Sequence, residues 1–493
     1  MSRIYDDSNR QIMPRWYPFI TACAMGDIHP ENEIQKPKIE TPISFENKKS
    51  DWQQNQTVPT AIDLVGTALI LGRLADVDAI QAATFLRNNS KIVSSLGIQL
   101  ANLFLSERED SSLDILGTKR KDQEIYVEIA RLKQLVHQYP RNAIIWCDLA
   151  FLYSLLGQKL QAENHINIAI SLAGENRFVL RSAARCFLFL EQPERALFHL
   201  RRSKLIKIDP WVLSTEISIS EGIERKSNFV KTARKLVRDS NFSPWSLNEL
   251  TGTLGTLEAR HGEIRKSKKL MRQALLDPNE NTFAQSVWLA RKLGQELMRP
   301  NEDILAAYEA NARFHLHEYE FRQSLEASKK WSEFQPFSSK PVIFASYVAS
   351  VCLQDDLEAI RIIETASNAS SNSFLVKNNY AFALASQNRL VEAERVVAQI
   401  NEANLDQEES YILSATRGLI QFRSGNIEDA RRLYQDAISA FKKKNDFRSA
   451  TIATFFWARE ESIIQSILYE KVFRDATNMI RKHDVRELLH LAK

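Results

Sequence analysis

Hydrophobic residues in this chain recur at helical spacing, and short breaks interrupt them at regular intervals. Over AIIWCDLAFLYSLLGQKLQAENHINIAISL, which begins at Ala143, the residues Trp146, Leu149, Ala150 and Tyr153 share one helix face. Gly157-Gln158 then makes a turn, and Ala162, Ile166 and Ala169 line a second helix. Counting 34 residues on from Ala162 reaches Ala196, followed by Leu200, Ser203 and Pro210, where the second helix is expected to stop. The same order returns at Leu254-Gly255, Gly262-Glu263, Ser267, Met271, Ala274 and Pro278. It returns at Ser324, Ser328, Trp331 and Pro336, at Ala359, Ile363 and Ala366, and at Tyr380, Ala381, Leu384, Asn388, Ala393 and Val397. Gly418, Gly425-Asn426, Ala430, Tyr434 and Ala437 form the last clear copy.

The spacing has a physical logic. Antiparallel helices approach closely only where small residues meet, which pairs Ala150 with Ala162 and Gly418 with Ala430. Gly157, Gly262, Gly425 and Asn388 are expected to end first helices in a left-handed cap, and Pro140, Pro210, Pro278 and Pro336 to mark stops between units.

These residues resemble tetratricopeptide repeats over about residues 140–445, most strongly at 143–176, 177–210, 374–407 and 411–444. The match weakens at 211–247, where Val230 stands at the small-residue position, and extra residues interrupt the period between 282 and 304. The resemblance implies an all-α solenoid, a right-handed superhelix of helix pairs.

The flanks differ. Residues 1–58 contain Pro14, Pro18, Pro30, Pro37 and Pro42, with Pro59 just beyond, and read as an extended or poorly ordered arm. Its PRWYPF cluster, with Trp16, Tyr17 and Phe19, either tacks the arm to the body or docks a partner. Residues 59–139 read as a helical leader of degenerate repeats, with Ile125, Ile129, Leu132 and Val136 on one stripe. Residues 446–493 read as closing helices that cap the array.

Composition agrees with a mostly helical protein. Fourteen Gly and fourteen Pro among 493 residues leave few strand-to-helix turns of the kind an α/β enzyme needs. The net charge of +4 neither demands nor excludes nucleic acid. Cys23, Cys147, Cys186 and Cys352 form no CxxC pair and suit a reducing cytosol. No signal pattern or spanning apolar run points to a membrane, so a cytoplasmic protein is expected.

Chemistry is sparse. No phosphate loop or nucleophile elbow occurs, and His315 and His317, two apart on a helix, point to different sides and cannot share a metal from that helix alone. The carboxylates are read as solvated helix faces, and no cofactor, metal or catalytic residue is expected. Basic clusters at 201–204, 265–269 and 442–444 fall on or after second helices and read as outer solvated faces, with a nucleic-acid track as the rival. The resemblance puts Arg181, Arg185, Arg260, Arg313, Asn378 and Arg423 on the concave wall, with Phe151, Phe382 and Phe422 beside them and Glu309 blunting the charge. There they would grip an acidic segment or a C-terminal carboxylate of another protein, or else bridge neighbouring repeats. The expected function is a scaffold or adaptor; the alternative is a regulatory or nucleic-acid-associated protein using the convex lysines and arginines.

Overall fold

The computed structural model describes residues 45–488 apart from 72–75, 90–91, 94–96, 99, 103, 106–121, 239–241, 294–303, 305–306, 368–372 and 484. The described regular structure is helical throughout, and no strand occurs among the described residues. Contacts divide the protein into two compact units, one reaching residue 311 and including 333–335, the other formed by 312–332 and the chain from 336 onward.

In the N-terminal unit, α1 (Phe45–Gln54), α2 (Val58–Leu71) and α3 (Val77–Asn88) share one hydrophobic cluster. Part of the expected arm is therefore helical. Between Pro42 and Pro59 the chain has neither Gly nor Pro to stop a helix, and Trp52, 2% exposed, meets the edge of Phe85 at 5.3 Å. Residues 1–44, including Trp16, Tyr17 and Phe19, lie outside the described residues. After α4 (Asp122–Gln138) come four hairpins. They are α5 (Ala143–Leu155) with α6 (Lys159–Ala173), α7 (Arg177–Phe189) with α8 (Pro193–Arg202), α9 (Pro210–Gly222) with α10 (Val230–Arg238), and α11 (Pro244–Arg260) with α12 (Ile264–Ala274). Next comes α13 (Glu280–Lys292), and then α14 (Tyr308–His317) and α15 (Phe321–Phe334), most of whose residues belong to the C-terminal unit.

The C-terminal unit continues with α16 (Ser339–Tyr347), extended by a π turn at Val348–Cys352, and α17 (Asp356–Glu364). Three more pairs follow. These are α18 (Phe374–Ser386) with α19 (Leu390–Ala398), α20 (Gln407–Arg423) with α21 (Ile427–Lys443), and α22 (Phe447–Ile463) with α23 (Tyr469–Lys482).

One turn recurs. Gly157, Glu191, Glu224, Gly262, Tyr319, Gln354, Asn388, Gly425 and Gln465 all have positive φ, from 51° to 84°, between a first and a second helix. The amide after each reaches back five residues, as Gln158 does to Tyr153 O, Glu320 to His315 O and Ser466 to Glu461 O. At Gln354 the reach is six, from Asp355 to Ala349, because the π turn inserts one residue. So the closing segment repeats the hairpin of the array, with Ile467 at its turn 96% exposed.

Small residues hold the crossings. A Cβ on Gly418 would lie 2.8 Å from Tyr434 Cδ2, while Ala150, Ala162 and Ala430 are fully buried. In α10 the buried small residue is Ala233 instead of Val230, which lies at the helix start and stays partly exposed. Pro210 likewise corrects the expectation of a stop. It opens α9, as Pro193 opens α8 and Pro244 opens α11, because a first-turn proline loses no helical hydrogen bond.

Candidate interaction site

The first helices α5, α7, α9 and α11 bury most of their residues, so much of the wall expected to line a groove there is already occupied. In the N-terminal unit Arg181 on α7 donates through Nη2 to Glu249 Oε2 on α11 at 2.9 Å, and its guanidinium lies 4.6 Å from the Trp211 ring on α9. Glu249, 4% exposed, also accepts from Asn279 Nδ2 at 2.9 Å and Asn281 Nδ2 at 3.4 Å. Between them, Thr253 meets Ser214 at 2.9 Å and Ser218 at 3.2 Å, and Gln285 donates to Thr256 at 2.8 Å. First helices two pairs apart thus touch across the short serines of α9. This repeated coupling of equivalent helices, with one left-handed turn per pair, decides the architecture. The described helices form an all-α array of helix-turn-helix repeats that resemble tetratricopeptide repeats.

No protein-family model matches the array, and no curated protein matches it. Solved structures similar to it include "Human IFIT1 dimer with PPP-AAAA", at 14% identity over 92% of this chain and 94% of that one, with a TM-score of 0.34. The yeast Tom70 crystal structure matches at 12% identity over 90% and 96% of the chains, TM-score 0.30. The APC/C hetero-tetramer Cut9-Hcn1 matches at 13% identity over 90% and 89%, TM-score 0.29. At these scores the repeat character of the array rests on its own turns and crossings.

The remaining expected groove residues are engaged too. Arg260 pairs with Glu221 at 3.1 Å, and Arg185 is buried within α7. Arg313 lies 5.7 Å from the ring centroids of both Trp331 and Phe344. Asn378 accepts from Thr416 Oγ1 at 2.8 Å, and Phe382 meets the edge of Phe456 at 4.9 Å. Phe422 packs 5.9 Å from Tyr434. Arg423 forks onto Glu460 at 2.5 and 3.1 Å and reaches Asn388. Of the two roles considered for the arginines, the described contacts of Arg181, Arg260 and Arg423 are bridges between repeats.

Sequence reading missed the acidic half of these bridges. Glu216, Glu249, Glu258, Glu460 and Glu461 are buried, not solvated, and pair with Arg201, Arg181, Arg234, Arg423 and Arg431. Each partner lies 15 to 68 residues away, so no local charge pattern announces it.

Other candidate chemistry is confined. His315 Nδ1 lies 2.6 Å from Glu320, and no group of three His, Cys, Asp or Glu among the described residues is placed to hold a metal. Burial pushes the Cys186 and Cys352 thiols up to about 12, leaving them protonated at neutral pH. Among the described residues no helix is long and apolar enough to cross a membrane.

An open surface lies on the outer side of the last pairs. Helices α21, α22 and α23 enclose a groove of about 540 Å³, with Ile438, Trp457, Val472 and Met479 on its walls. Trp457 is held in place: Nε1 donates to Glu461 at 2.8 Å, and its ring runs nearly parallel to that of Tyr434 at 6.5 Å. Lys442, Lys443 and Lys471 edge the groove and its continuation, and none has an ion-pair partner among the described residues. Lys442 and Lys443 of the basic run 442–444, expected to be an outer solvated face, therefore border a groove with apolar walls.

Proposed function

We propose that this array is a non-enzymatic, intracellular protein-interaction scaffold that seats an acidic amphipathic segment of its partner in the groove of α21–α23. One observation carries the reading. A fixed, partly exposed tryptophan with aliphatic neighbours lines a groove edged by three lysines, none of them in an ion pair among the described residues, with Asp475 also on its lining. Such a floor takes the apolar face of a helix, and the lysines select carboxylates on its flank. The buried thiols suit a reducing compartment.

The test compares wild type with Lys442→Glu/Lys443→Glu/Lys471→Glu in capture from the native cell, read by mass spectrometry. Partner affinity should fall at least about tenfold, equivalent to 1.4 kcal/mol, with the melting temperature nearly unchanged because the three side chains are exposed. Equal capture by both proteins would remove the groove from consideration. A steep logarithmic dependence of binding on salt would favour the nucleic-acid alternative instead.

A further inference from the structure

The end of the described chain turns back onto the array. After α23 ends, His483 stacks on Phe447 at 4.5 Å, and Arg486–Leu488 forms a single 3-10 turn. Val485 and Leu488 are wholly buried, and Glu487 is 4% exposed. The Tyr347 hydroxyl donates to Glu487 Oε1 at 3.1 Å, and the Arg448 guanidinium forms an ion pair with the same oxygen. Tyr347 lies on α16 and Arg448 on α22, both first helices, with α18 and α20 between them in sequence. Simple apolar cover does not require this arrangement. A buried carboxylate is unfavourable unless donors compensate its lost hydration, and here two donors from distant helices converge on it.

We propose that the first helices of the C-terminal unit form a peptide site that reads a carboxylate flanked by aliphatic side chains, occupied in cis by the chain's own Val485–Leu488. Tethering raises the effective concentration of the segment, so weak intrinsic affinity suffices to fill the site. A partner segment of the same pattern, an aliphatic residue two positions before a Glu-Leu pair, would displace it. This site is separate from the lysine-edged groove, and its test does not depend on that groove.

The probe is a fluorescent synthetic peptide of residues 483–493, followed by anisotropy. Full-length Glu487→Gln weakens the internal segment while keeping the whole chain, and should bind the peptide at least tenfold more tightly than wild type. A chain ending at Lys482 should bind more tightly still, and Arg448→Gln in that chain should abolish the gain. A peptide carrying Gln at the position of Glu487 should lose at least tenfold. Circular dichroism melts report folding. If the truncated chain does not fold, full-length Glu487→Gln decides alone. Equal peptide binding by that variant and wild type, or by the Glu and Gln peptides, overturns the proposal.

Discussion

The first helices of the N-terminal and C-terminal units are built on the same hairpin but closed by different chemistry. Around α7, α9 and α11 the inner contacts are polar: Arg181 and Asn279 with Glu249, and serines with Thr253. Around α18, α20 and α22 an aromatic seam runs beside the polar contacts of Asn378 with Thr416 and Arg423 with Glu460, with Phe382 against Phe456 and the Arg459 guanidinium 4.7 Å from the Phe456 ring. Asn378, buried there, leaves Nδ2 without a partner among the described residues, beside a cavity of about 30 Å³. A buried ion network tolerates little, since each member depends on the others, whereas an aromatic seam tolerates volume-conserving change.

The largest expected effect tests that contrast. Glu249→Ala strands the buried Arg181 charge and should cost about 3–5 kcal/mol, measured by denaturant unfolding. The double variant Arg181→Met/Glu249→Leu should recover most of that loss. Phe382→Leu in the other unit should cost about 1–1.5 kcal/mol. Equal losses for Glu249→Ala and Phe382→Leu would break the comparison.

Next come two glycines at helix crossings, one in each unit. Gly418→Ala forces a Cβ to within 2.8 Å of Tyr434 and should lose about 1–3 kcal/mol. The space at Gly255 leaves 3.4 Å to Ser267 O, and Ala there should change stability by under about 1 kcal/mol because better helix propensity offsets the tighter contact. Thermal melts of the two variants sharpen the difference in packing.

A smaller effect concerns the turns. Tyr319 adopts φ 62°, a conformation that disfavours a side chain, so Tyr319→Gly should stabilise by about 0.5–1 kcal/mol. Gly425→Ala, at φ 84°, should destabilise by about 1 kcal/mol. No shift in the melting temperature for either would remove strain as the reason these positions differ.

The smallest effects depend on pH and separate the units. In the N-terminal unit His165 has its pKa lowered, chiefly by burial, between Trp146 and Tyr153. The unfolded chain then takes up the proton first, so stability falls as pH drops through the unfolded value of 6.5. In the C-terminal unit the Lys329 ammonium, 2.6 Å from Glu358, holds that carboxyl below its usual range. Its contribution is full above the unfolded value of 4.5 and is lost as pH falls through the lower folded one. His165→Phe should therefore flatten the stability profile below pH 6.5, and Glu358→Gln only below about pH 5.

Much of the repeat architecture was legible in the residue order. The period, the crossings at Ala150, Ala162, Gly418 and Ala430, and the left-handed turns at Gly157, Gly262, Asn388 and Gly425 are local matters of side-chain size and backbone freedom. The turns at Glu191, Glu224, Tyr319, Gln354 and Gln465 were not legible, since packing of the two helices imposes a conformation their sequence does not favour. The interaction surfaces belong to the tertiary structure for a similar reason. Whether Arg181 meets a ligand or Glu249 depends on which helices converge across 68 residues, and a separate convergence in the C-terminal unit brings Glu487 to Tyr347 across 140. Side-chain size sets how one helix turns into the next; only the folded array decides which charges end up facing each other.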